Sequence, residues 1–175
     1  MNYKLRVATI ISRLFDPFIM LAVVCIILLS HTAVFIPAFI SMVIVPLALF
    51  FIAWKTKFVS NWDITDRSQR PKLFWPLIVV ETISIVVFHL WTLMPILIAM
   101  IGFAVITQFW KISGHAFASA LATGILILRF GWQWLPVLFI VPLVVWSRVV
   151  RKNHTIPQVI VGALYGWVII WLYAR

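Results

Sequence analysis

Four side chains in this sequence have types and spacings suited to chemistry at phosphorus. His115 stands in "KISGH", Arg148 and His154 stand in "SRVVRKNHTIPQ", and Arg70 stands in "DITDRSQRPK". A guanidinium presents a planar fork of donors that matches phosphate oxygens. One imidazole can attack phosphorus while a second protonates the leaving oxygen. Ser113 and Gly114 lie just before "AFASALATG", a small-residue helix start whose free N–H groups could face a phosphate. Lys111 and Lys72 add cations nearby, and Asp63 and Asp66 add the only carboxylates of these clusters. Pro157 suits the first turn of a last helix, where its missing N–H costs nothing. That helix start would hold His154 just outside and Gln158 in the first turn, able to reach back to His154. Cys25 is the single cysteine, which excludes an intrachain disulfide and a cysteine-based metal site.

The elements that must position these residues are membrane helices. Of 175 residues, 65% are hydrophobic, far above the half or so typical of soluble domains. Apolar runs occupy roughly 9–29, 33–54, 73–90, 94–110, 115–130, 134–147 and 157–173. In lipid the backbone must satisfy its own hydrogen bonds, so only helices or closed barrels span it. The runs are uniformly apolar rather than alternating, which excludes barrel strands. The expected fold is an all-α, multi-pass transmembrane bundle of about six or seven spans. No internal repeat or low-complexity linker divides it, so one integral membrane domain is expected over 1–175. The first run is read as a retained span rather than a signal peptide. With 14 Lys and Arg against 4 acidic residues, the net charge is +10. In so apolar a chain this excess points to lipid headgroups, topology or a phosphate substrate, not to nucleic acid.

Counting spans brings the clusters together. The stretch 73–110 is too long for one pass through roughly 30 Å of hydrocarbon and fits two. The stretch 112–152 likewise fits two passes joined at "RFGWQW". An even number of spans then separates each cluster from the next, so all three face the same side. With the N-terminus on that side, only Arg129 and Arg175 of the basic residues face the other. The positive-inside rule puts the clusters in the cytoplasm. Simpler readings hold for the rest. Arg151 and Lys152 read as topology charges, Glu81 as a buried helix-packing residue, and "SALATG" as a packing face. The "D-x2-D-R" of Asp63 to Arg67 also resembles a magnesium-binding cluster of membrane prenyltransferases, but no second acidic motif accompanies it.

Three fragments in order resemble the type-2 phosphatidic acid phosphatase/haloperoxidase superfamily, whose motifs are K-x6-R-P, P-S-G-H and S-R-x5-H-x3-D. Here "DITDRSQRP" supplies Arg70-Pro71 with Asp63 at the lysine position. "ISGH" supplies Ser113, Gly114 and His115 with Ile112 for proline, and "SRVVRKNHTIPQ" supplies Ser147-Arg148, His154 and Gln158 for aspartate. The H-x3-Q ending is similar to that of the dolichyl-diphosphatase branch. The resemblance covers about 63–166 and makes little use of residues 1–55. It implies that His154 is the nucleophile, forming a phosphohistidine, and that His115 is the general acid. It implies that Arg148 and Arg70 bind phosphate oxygens with Ser113 and Gly114; Lys72, Lys111 and Arg67 are the candidates to replace the missing lysine. It also implies that Gln158 orients His154 and that no metal or other cofactor is required. The function expected is a lipid phosphate or polyprenyl diphosphate phosphatase embedded in the cell membrane. The alternatives are a lipid-phosphate binding or transport protein that has lost hydrolysis, motivated by Asp63 and Gln158, and a phosphotransferase working through the same intermediate. The sequence carries no signal for oligomeric state.

Overall fold

In a computed structural model the chain is all-α, and residues 2–174 are described. No strand occurs among them. Nine helices follow in order among the described residues: α1 Tyr3–Leu14, α2 Pro17–Leu29, α3 Phe35–Phe39, α4 Val45–Lys55, α5 Arg70–Val87, α6 Met94–Phe109, α7 Gly114–Phe130, α8 Ile140–Val150 and α9 Ile156–Tyr173. A π turn, Ile40–Ile44, joins α3 to α4 in one continuous pass. It lies just before Pro46, which has no N–H to offer the preceding turn. Short 3-10 segments lead into α5, α6 and α8.

Five segments are long and apolar enough to cross a membrane: Tyr3–Leu29, Phe35–Lys55, Trp91–Phe109, Trp132–Val150 and Ile156–Tyr173. Gly114–Phe130 is apolar but has 17 residues, about 26 Å of helix. Arg70–Val87 has 18 residues and carries Arg70, Lys72 and Glu81. Together these make the membrane helix bundle that the apolar runs predict. Large apolar side chains stand exposed along the helices, as Ile160, Leu164, Val168 and Trp171 do on α9. At a spacing of three and four residues they form one outward face suited to lipid. Arg175 lies outside the described residues.

The chain forms two compact units. The first runs up to Ile27 and resumes at Ile112, so it contains α1, most of α2, and α7 to α9. Its main contact is α7 against α9, with α8 packed on α7 and α1 packed on α8. The core below the clusters is made of Ala116, Ala120, Val141, Val159 and Ala163. Two glycines set how closely α9 approaches α7. A methyl at Gly162 would lie 2.7 Å from the Ser113 carbonyl oxygen, and one at Gly166 would lie 2.7 Å from that of Phe117. Only a hydrogen fits there, the small-residue packing common between membrane helices. Gly131 ends α7 with φ 93°, a conformation that side chains disfavour.

The second unit is Leu28–Lys111. In it α5 packs on α6 and on the π turn. The buried face of α5 carries Arg70, Leu73, Leu77, Ile78, Glu81, Ser84 and Ile85, a helical repeat of three and four. Glu81 is buried there, and its Oε1 has no hydrogen-bond partner among the described residues.

Candidate active site

The site is built in the first unit, where three chain segments meet at one end of the α7–α8–α9 packing. Ser113 caps α7: its Oγ accepts the Ala116 N–H at 3.4 Å, and both Ser113 and His115 are buried. The Ser113 N–H donates to the Gln158 carbonyl oxygen at 3.1 Å. That backbone bond ties the start of α7, which carries His115, to the start of α9, which follows His154.

The five residues between Arg148 and His154 form a tight turn that closes α8. The Arg148 carbonyl oxygen accepts the N–H groups of Asn153 at 3.1 Å and His154 at 3.4 Å. Lys152 takes φ 55° to complete the reversal. The spacing S-R-x5-H is therefore structural: it folds the backbone of His154 onto that of Arg148. Both side chains are buried, Arg148 at 1% and His154 at 7% exposure. Gln158 sits in the first turn of α9 as Pro157 predicts. Its Oε1 lies 3.3 Å from His154 Nδ1 and accepts the Thr155 N–H at 3.1 Å. With the Nδ1 proton held on that oxygen, Nε2 keeps its lone pair, the tautomer a nucleophile needs.

Arg148 reaches the His115 ring with its side chain and the His154 backbone with its carbonyl. Its Nη1 is 3.5 Å from His115 Nε2 and donates to Ser12 Oγ at 2.6 Å. Arg151 Nη1 donates to the same hydroxyl at 2.7 Å. Two guanidinium groups thus converge on one buried oxygen, using both of its lone pairs. Arg151, read from sequence as a topology charge, is half-buried and tied into this network, whereas Lys152 is exposed. Asp16 comes from the break between α1 and α2. Its Oδ1 accepts the Phe18 N–H at 3.0 Å, and its Oδ2 lies 3.9 Å from His115 Nε2.

Sequence reasoning missed Ser12 and Asp16, because it used little of residues 1–55. Ser12 gave no signal. Asp16 did: an aspartate followed by Pro17 inside an apolar run is a helix start, with a cap and a proline in the first turn.

The remaining candidates belong to the second unit. Arg70 opens α5 and is buried; its Nε donates to the Ile64 carbonyl at 3.2 Å and its Nη1 to Thr107 Oγ1 at 2.9 Å. Arg67 Nη1 donates to the Phe109 carbonyl. This cluster therefore gathers at the end of α6 that leads into Lys111. Lys72 is exposed, and Asp63 and Lys111 are half-buried. Asp66 caps the 3-10 turn Arg67–Gln69. The Ser68 hydroxyl, at 2.8 Å, and the Ser68 N–H, at 2.9 Å, hold its carboxyl below the usual carboxylate range. No group of three or more His, Cys, Asp or Glu side chains suited to a metal ion occurs among the described residues.

Residues 99–175 match the family model of the PAP2 superfamily. That segment contains His115, Arg148, His154 and Gln158. A lipid A 4'-phosphatase of Helicobacter pylori is 42% identical over 62 residues, taking in 35% of this chain. The match covers 31% of that relative, so the chain spans about a third of its length. No solved structure matches the chain. Both sequence matches support the superfamily resemblance carried by the motifs.

Proposed function

We propose that the protein is a membrane-embedded, metal-independent phosphatase of lipid phosphates. The observation that carries this reading is Arg148, whose guanidinium stands against His115 while its carbonyl anchors the turn to His154. In the proposed reaction the His154 Nε2 lone pair attacks phosphorus and forms a P–N bond. The P–O bond to the lipid breaks, and His115 delivers its proton to that oxygen. Water then attacks the phosphohistidine, His115 takes the water's proton, and phosphate and free His154 result. Arg148 steadies the charge on the transferred oxygens. Arg70 is assigned a phosphate role on its motif alone.

The substrate joins a hydrophobic tail to a phosphate. Phosphatidate, phosphatidylglycerol phosphate and polyprenyl diphosphates meet that description, and the relative's name adds a lipid A phosphate. The basic side of the chain is assigned to the cytoplasm of the cell membrane on charge asymmetry.

The test uses purified protein in detergent with chelator present. Radiolabelled lipid phosphate should release phosphate and, on alkaline quench, leave label on His154. His154→Ala should lose both. Normal turnover by that variant would reject the mechanism, and lipid binding with neither label nor turnover would favour a binding protein.

A further inference from the structure

Asp16 lies outside the three motifs and outside the matched segment, yet its carboxylate is the negative group set against His115. Its two oxygens have separate tasks. Oδ1 accepts the Phe18 N–H at 3.0 Å and so starts α2. With Oδ1 pinned, Oδ2 is aimed at His115 Nε2, 3.9 Å away, and both side chains are about nine-tenths buried. Pro17 fixes the backbone that follows. The carboxylate is thus held by the start of a helix rather than by a flexible loop.

His115 Nε2 faces two opposed charges. Arg148 Nη1, at 3.5 Å, can donate to it only when the nitrogen is unprotonated. Asp16 Oδ2 attracts it when Nε2 carries a proton, and most strongly when the ring is an imidazolium. The guanidinium alone would drive the proton off the ring, and an acid that has already lost its proton cannot assist a leaving group. The other groups around His115 do not replace the carboxylate. Arg151, just past α8, adds positive charge through Ser12, and His154 follows it as the proposed nucleophile. From α9 come the neutral Gln158 and Tyr165, whose ring stacks on Phe117. The segment Trp132–Phe139 carries no ionisable side chain. The exposed Lys4, Arg6 and Arg13 of α1 are all cationic.

The geometry points to Asp16 as a positioning residue that keeps His115 protonated beside Arg148 for the proton transfer to the leaving oxygen. When that proton is delivered, the neutral ring becomes an acceptor for Arg148, so each protonation state has its own partner. This rests on the phosphatase reading above and adds the N-terminal segment to its machinery.

Asp16→Asn separates charge from structure, because asparagine caps a helix about as well as aspartate. Two substrates are compared: a lipid phosphate, whose alkoxide leaves only with a proton, and an aryl phosphate with an acidic phenol, which needs little help. His115→Ala is run first and, read in kcat/KM, which stops at phosphoryl transfer to His154 and so leaves out the later water attack, should slow the lipid ester selectively. Equal slowing of both substrates removes the acid role of His115, and this inference with it. Given that selectivity, Asp16→Asn should lower kcat on the lipid ester relative to the aryl ester by about tenfold or more, with KM little changed. The alkaline limb of its pH profile should move to lower pH. In the His115→Ala background, Asp16→Asn should cost nothing further. Asp16→Ser, which also caps, should behave like Asp16→Asn. Equal slowing of both substrates by Asp16→Asn, an unmoved pH limb, or additive losses in the double variant would each overturn the assignment while leaving the phosphatase reading intact.

Discussion

Gln158 stands where the superfamily pattern places an aspartate, and its geometry explains how an amide can serve. One oxygen takes both the Thr155 N–H and the Nδ1 side of His154, so a neutral group fixes the tautomer. Gln158→Leu removes that acceptor and should lower kcat by about tenfold or more with the protein still folded, read from turnover and thermal unfolding. Gln158→Glu keeps an acceptor and adds charge. A neighbouring carboxylate favours the imidazolium and so raises the pKa of His154. The proposed nucleophile must be neutral, so the acid limb of kcat/KM should move to higher pH in that variant. Asp66 supplies a second pH dependence, this time of structure. Its carboxyl is depressed by the Ser68 hydrogen bonds, so its contribution is complete above the ordinary carboxylate range and is lost as pH falls through the depressed value. The protection of the Ser68 amide, its exchange relative to the intrinsic rate at the same pH, should therefore fall only in strong acid, and Asp66→Asn should remove that fall.

Among the elements, the α7–α9 seam governs whether the two imidazoles stay in register. Gly162→Ala would place a methyl 2.7 Å from the Ser113 carbonyl oxygen, which is backbone and cannot rotate away. Overpacking of this kind costs about 1–3 kcal/mol. The variant should melt earlier in detergent and lose activity beyond what its stability explains, because Ser113 is next to the turn that carries His115. The same elements show what sequence can reveal. Helical runs, the Ser113 cap and the Pro157 start were legible because each is local, resting on periodicity or on one or two neighbouring residues. The break at Asp16 was blurred because the residues on both sides are apolar, and 9–29 reads as one span. The contact between Arg148 and Ser12 joins residues 136 positions apart. No spacing rule reaches that far, and a lone serine in an apolar run resembles any helix-packing residue. The two-arginine convergence on its hydroxyl is accordingly a finding of the fold.

For the molecule as a whole, the first unit predicts a measurable orientation. The segment from Trp132 to Lys152 comprises a 3-10 stretch and α8, about 30 Å end to end, close to the hydrocarbon thickness. Trp132 and Lys152 are both exposed. Cysteines placed at these two positions, in a chain lacking Cys25, should therefore react with impermeant reagents from opposite sides of the membrane. Reaction from one side only would contradict the spanning assignment of α8. The arrangement of the first unit also has a consequence for biosynthesis. Asp16 is made well before His115, Arg148 and His154. A ribosome delivers the chain in that order. The helices that flank Asp16 must accordingly wait in the bilayer with their carboxylate while the groups it faces are still being translated. The candidate site closes only when α9 is threaded in, so until then the carboxylate stands ready with no imidazole held in place to face.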